Sequence, residues 1–322
     1  MLRMLMATWL TALILCNTAW SQIYPTRPVR IVVGFDAGGG PDTTARLLAA
    51  QLTSQTGKSF IVDNRPGASG IIGADIVAKA VPDGHTLLVA SSTFALLPSS
   101  SKNLPFDVLR DFAPITHIGS SDAFILVASP SLPARNVQEL IALARAPNSK
   151  IAFGSNGNGT TGHLVGAAFN AAAKTNMVHV PYKAAAATLN ALVSGEIQIM
   201  FATAALAVPL IKAGKLRALA YDYPTRASFL PDVPTLAEAG GPPTGVPAGG
   251  QFLFAPAKTP PATLARIQAE ARRAIASPEL RERLVNIGLT PIGNSSAEFR
   301  PFFTNAVKRY GDAARAAGIE PE

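Results

Sequence analysis

The chain has 322 residues, 48% hydrophobic and 15% charged, with a net charge of +8. That is material for about two domains with full cores, and it excludes a disordered chain. The basic residues are scattered, with no aromatic-and-basic stripe, which argues against nucleic acid and favours a small anionic ligand.

The N-terminus reads as an export signal. Arg3 is followed by an apolar run, Met4 to Cys16, too short for a comfortable membrane span. Ala19-Trp20-Ser21 supplies small residues for cleavage before Gln22, so residues 1–21 are the expected signal peptide and the mature protein is expected in the periplasm. A lipid anchor at Cys16 fits less well, because Leu15 stands where processing wants a small residue. Cys16 is the only cysteine, so cleavage leaves no thiol for disulfides, catalysis or metal.

Pro28–Phe35 (PVRIVVGF) predicts a buried strand, followed by Ala37 and Gly38-Gly39-Gly40. Pro41-Asp42 then opens a helix to about Gln55, with Gly57 as its stop. Phe60–Val62 is a second strand, ending in NRPGASG, and a helix runs on through Ala80. After the turn at Pro82-Asp83-Gly84 comes the strand Thr86–Ala90, ending in Ser91-Ser92-Thr93. This repeated β-loop-α order predicts an α/β fold with a parallel sheet covered by helices on both faces. A second unit begins near Ala123, with strands at 124–128, 151–153, 177–180, 197–201 and 216–220 and a helix at 137–145. The stretch Gly240–Gly250 is a loop. A strand at 251–255 and helices at 261–276, 278–285 and 298–317 close the chain.

One loop poses the chemical question. Phe153 to His163 reads FGSNGNGTTGH, and GNGTTG formally matches GxGxxG. A dinucleotide site also wants an acidic residue about 20 positions on. Pro181-Tyr182-Lys183 stands there instead; Lys183 could meet the 2′-phosphate of NADP, but an exported protein has poor access to that cofactor. The alternative is an anion cradle: amides at a helix start, flanked by Ser155, Asn156, Gly157, Thr160 and Thr161. The loop Phe35–Asp42 has the same design in the other half. Two such loops imply a cleft that closes on a ligand, the plan of a periplasmic binding protein.

The stretches VRIVVGFDAGGGPDTTARLLAAQL, IVDNRPGASGIIGADIVAKAVPDGHTLL and LPFDVLRDFAPIT resemble the Bordetella uptake gene family, the extracytoplasmic receptors of tripartite tricarboxylate transporters. SNGNGTTGHL, MVHVPYK, IKAGKLRALA and PDVPTLAEAG continue the likeness in order, over nearly the whole mature chain. The resemblance implies a two-domain, type II-like flytrap with two chain crossings, near Ser121–Ala123 and Pro247–Gln251. The domains would be residues 22–122 plus 248–322, and 123–247. It implies a monomeric solute-binding receptor that holds a carboxylate between the two loops, often through ordered waters, and hands it to integral permease subunits. A sensory accessory to a signalling receptor would use the same pocket. The expected ligand-binding residues are Phe35, Ala37, Gly38, Gly39, Gly40, Asp42, Ser69, Ser92, Ser155, Asn156, Gly157, Thr160, Thr161, His163, Tyr182 and Thr203, with no cofactor and no metal.

The chain departs from that family near the pocket. Asp36 stands where proline is common and Pro41 where Thr or Ser is common; Ala202-Thr203 replaces Asp-Asn, and no tryptophan lies near Gly250-Gln251-Phe252. Asp36 would repel an anion unless it points away, caps a turn or selects a partly cationic ligand. Losing the carboxylate at 202 argues against an amino-group ligand if that position lines the cleft. Arg65 either pairs with a carboxylate or is structural before Pro66. An enzyme is the weaker reading: there is no GxSxG, no HExxH among the four histidines, and no P-loop lysine.

Overall fold

The computed structural model describes residues 24–121, 124–227 and 229–321. The expected export signal and its cleavage point lie outside the described residues.

The first sheet contains β1 (Val29–Val33), β2 (Phe60–Asn64), β3 (Thr86–Ser91), β4 (Phe112–Ser121), β10 (Gly249–Pro256) and β11 (Leu289–Pro291). Their spatial order is β11-β4-β10-β3-β1-β2. The second contains β5 (Phe124–Ala128), β6 (Ala152–Ser155), β7 (Val178–Pro181), β8 (Ile199–Thr203) and β9 (Arg217–Tyr221), in the order β7-β6-β8-β5-β9. The chain thus leaves the first sheet after Ser121 and returns to it at Gly249, which makes two crossings between two lobes.

The strand signatures follow from burial on both faces. In β1, Val29, Ile31 and Val33 enter one core while Val32 enters the opposite one. In β5, Phe124, Leu126 and Ala128 face one core and Ile125 and Val127 the other. A strand with two apolar faces must be covered twice, so helices pack on both sides of each sheet. On the first sheet these are α1 (Gly40–Thr56), α8 (Pro261–Ala276) and α9 (Pro278–Asn286) on one face. The other face carries α2 (Ile71–Ala78), α3 (Thr93–Ser100) and α10 (Ser296–Ala316). The second sheet is covered by α4 (Val137–Arg145) and α5 (Thr161–Ala172) on one side, and by α6 (Ala185–Ser194) and α7 (Ala204–Lys212) on the other.

The expectation of a parallel sheet needs correction. Only β2-β1-β3 and β7-β6-β8 run parallel. β10 is antiparallel to both β3 and β4, β11 is antiparallel to β4, and β5 is antiparallel to β8 and β9. The crossings cause this: a strand that arrives from the other lobe enters the sheet from the opposite end. Gly249 and Gly250 also belong to β10 rather than to a loop, because they pair with Ser121 and Ser120.

Tyr310 of α10 pins the return crossing. Its buried hydroxyl donates to the carbonyls of Pro247 and Ala248, at 3.1 and 3.2 Å. Burial pushes its pKa up to about 12, so it stays a neutral donor.

Candidate functional site

Two connected spaces lie between the lobes. An inner chamber of about 90 Å³ is bounded by the strand ends of both sheets, and an outer groove of about 840 Å³ opens from it. Phe35, Asp36, Asn156, Lys183 and Ala184 line both and so mark the junction.

Five helices begin at the inner chamber: α1 at Gly39-Gly40-Pro41, α3 at Ser92-Thr93, α5 at Thr160-Thr161-Gly162, α6 at Ala184-Ala185 and α7 at Thr203. Each helix start carries unpaired amides and a partial positive charge. Four of the five have no side-chain cap on those amides; only α5 is capped, by Thr160, which accepts from the His163 N–H. Gln251, only 6% exposed, and Thr203 also line this wall. Among the described residues, Gln251 Oε1 and Thr203 Oγ1 are buried without a hydrogen-bond partner. The Thr203 hydroxyl can donate, and a half-turn of the Gln251 amide exchanges its oxygen for its NH₂ group. The chamber is therefore a field of donors with unspent hydrogen-bonding capacity, suited to a compact anion.

Local structure explains how each loop holds its shape. Asp42 is buried, and its carboxylate accepts from the Gly38 N–H (2.8 Å), Arg46 Nε (3.0 Å) and Asn64 Nδ2 (2.9 Å). Asn64 Nδ2 also donates to the Phe35 carbonyl. Burial alone would raise the Asp42 pKa, but these donors together hold it below its ordinary value. Across the cleft, Ser155 Oγ lies 2.7 Å from His179 Nε2 and accepts from the Gly157 N–H. His179 stacks on His163 with ring centroids 3.8 Å apart, and His163 Nδ1 accepts from the Gly159 N–H. Burial, with a smaller contribution from His163, lowers the His179 pKa to about 4, so it supports the loop as a neutral ring.

The lobes also bond to each other at the chamber. Thr161 Oγ1 lies 3.3 Å from Ser92 Oγ and 3.1 Å from Thr93 Oγ1, and the Thr161 N–H donates to Thr93 Oγ1. Ser69 Oγ donates to the Asn158 carbonyl, and Ser100 Oγ to the Gly159 carbonyl.

Of the residues expected from sequence, Phe35, Gly39, Gly40, Ser92, Ser155, Asn156, Thr160, Thr161 and Thr203 come together on the inner chamber. Ser69, Gly157 and Tyr182 line the outer groove instead. Ala37, Gly38, Asp42 and His163 line neither space; Asp42 and His163 shape the loops from behind. Arg65 pairs with Asp63, away from both. Sequence reasoning missed Thr93, Ser121 and Gln251. Thr93 could have been found as the continuation of the Ser91-Ser92 strand end. Gln251 and Ser121 are brought in by the β10–β4 pairing; the resemblance put both near the expected crossings, but no local signal marked their side chains as part of the chamber.

A two-lobed α/β protein with two crossings and a donor-lined cleft is a binding protein of the periplasmic solute-receptor class. The tripartite tricarboxylate transporter family receptor profile matches residues 44–319, and the chain belongs to that family. Among similar proteins, a UPF0065 protein of Bordetella pertussis is 34% identical over 96% of this chain and 95% of its own length. The R. palustris protein Rpa4515, solved with adipate, superposes with a TM-score of 0.88 at 32% identity, over 93% of this chain and 100% of that one. MatC from Rhodopseudomonas palustris, solved with bound malate, gives a TM-score of 0.82 at 29% identity, over 90% and 99% of the two chains.

Among the described residues, no helix is long and apolar enough to cross a membrane, and no group of three or more His, Cys, Asp or Glu could hold a metal ion.

Proposed function

We propose that this receptor captures a small organic carboxylate in the inner chamber and presents it, as an exported monomer without cofactor or catalytic activity, to the permease subunits of a tripartite transporter. The observation that carries the reading is the convergence of five helix starts beside the buried, unpartnered Gln251 Oε1 and Thr203 Oγ1. Donors fixed by helices need no rearrangement to meet a carboxylate. The adipate and malate bound by the two R. palustris relatives support the same class of ligand. The lobes, residues 22–122 plus 248–322 against 123–247, close about the two crossings, and the closed form is the one the permease recognises.

A thermal-shift screen tests this with dicarboxylates, tricarboxylates, aromatic acids and NADP. A ligand at 100 times its dissociation constant adds about 2.7 kcal/mol, which raises the melting midpoint by about 5 °C or more. A rise confined to carboxylates is expected; a rise with NADP alone would restore the dinucleotide reading of GNGTTG.

A further inference from the structure

Two charged residues, the half-buried Asp36 and the exposed Lys183, border the inner chamber, and they come from opposite lobes. Asp36 follows β1 and Lys183 follows β7, and both sit at the junction with the outer groove. Among the described residues, neither side chain makes a hydrogen bond or an ion pair, with the other or with any third group. Asp36 is half-buried all the same.

A half-buried carboxylate at the mouth of an anion-drawing chamber has to be explained. It does not serve its own loop: Asp42 orders that loop, and α1 starts without any side-chain cap. It borders both spaces, at the junction of the chamber and the groove. Facing the second carboxylate of a plain diacid, Asp36 would be a like charge and would weaken binding. Facing an ammonium group, it is a charge-assisted acceptor. Lys183 offers the reverse charge on the opposite lobe.

The position where sequence argued against an amino group does not decide the matter. Ala202 is fully buried in the core of the second lobe and is not on the chamber wall. Asp36, on the other lobe, is the acidic residue that borders the chamber.

We infer, resting on the function proposed above, that the ligand's outer end is zwitterionic. One carboxylate sits among the helix starts, an ammonium group meets Asp36, and a second carboxylate meets Lys183. That is the chemistry of an acidic amino acid, with Asp36 as the residue that selects it over the corresponding diacid.

Calorimetry on ligand pairs that differ only in the amino group tests this: glutamate against glutarate, and aspartate against succinate. The wild-type protein favours the amino member of a pair by about tenfold or more. Asp36→Asn, which keeps the side-chain shape, removes or inverts that preference by strengthening the diacid. Lys183→Met weakens both members together. The inference is overturned if the wild type binds the diacid as well as its amino partner, or if the preference survives Asp36→Asn. Should Asp36→Asn not fold, the wild-type preference decides alone. Binding of diacids, adipate or malate without amino acids removes this inference and leaves the carboxylate receptor standing. Silence toward all six compounds removes this inference, and the thermal-shift screen with tricarboxylates and aromatic acids then decides the carboxylate receptor separately.

Discussion

At the scale of single residues, the proposed ligand contacts are distinct from the groups that hold them in place. Gln251 belongs to the first kind. Its oxygen has no partner to lose, so Gln251→Ala leaves folding stability within about 1 kcal/mol while weakening carboxylate binding about tenfold. Calorimetry and a melting curve on the same variant separate the two effects. Thr161 belongs to both kinds, because its hydroxyl lines the chamber and meets Ser92 and Thr93 of the other lobe. Thr161→Val keeps the volume and loses the hydroxyl, and affinity is expected to fall about tenfold or more. Unchanged affinity would remove the second loop from the binding model. His179 acts from behind. Its folded pKa of about 4 lies below the ordinary 6.5, so between those values the unfolded chain takes up a proton that the folded chain refuses. Its contribution to stability is complete above about pH 6.5 and is lost as pH falls toward 4. Urea midpoints measured across that window should decline, and His179→Gln should flatten the decline.

At the scale of elements, the loop between β6 and α5 is built on glycine. Gly159 has φ +66°, and a Cβ there would lie 2.9 Å from Ser100 Cβ and Oγ on the other lobe. Gly159→Ala combines left-handed strain, roughly 1–2 kcal/mol, with a clash across the cleft. Gly214 has nearly the same φ, +67°, with no atom within 4 Å of the Cβ position. Gly214→Ala therefore carries the strain alone. The extra loss of folding stability in Gly159→Ala over Gly214→Ala, read from urea midpoints, measures the crowding; equal losses would show that Ser100 simply gives way. Elements with chemical punctuation were legible in the sequence. α8 starts and stops as expected, because Pro261 sits in its first turn and Pro278 opens the next helix. α4 is framed by Asn136, whose side chain caps it. β4 was missed because FAPITHIGSS reads as a turn-rich polar segment; its burial comes from β10 and β11, far along the chain. α3 was hidden by Pro98, which a helix of only 8 residues tolerates near its end. The two cradle loops were visible for the same reason that α8 was, since glycine and hydroxyl residues at helix starts form a local code. The rest of the wall depends on which strands become neighbours.

At the scale of the whole molecule, hydrogen bonds join the two lobes across the cleft, and under the proposed hinge closure they favour the closed form. Ser69, Ser92, Thr93 and Ser100 on one side meet the 158–161 loop on the other. Removing Ser69 and Ser100 hydroxyls together (Ser69→Ala with Ser100→Ala) shifts the free protein toward the open form. Small-angle scattering should then show a larger radius of gyration without ligand, and compaction on saturation. No compaction with any bound ligand would count against hinge closure. The place of β4 in the first sheet has another consequence. Both of its hydrogen-bonded neighbours, β10 and β11, are made only after the entire second lobe. During synthesis the N-terminal lobe is thus started first and finished last. Long-range pairing of this kind is slow to form. The growing chain keeps an incomplete sheet until its final quarter emerges, which lengthens the time it spends short of its folded state.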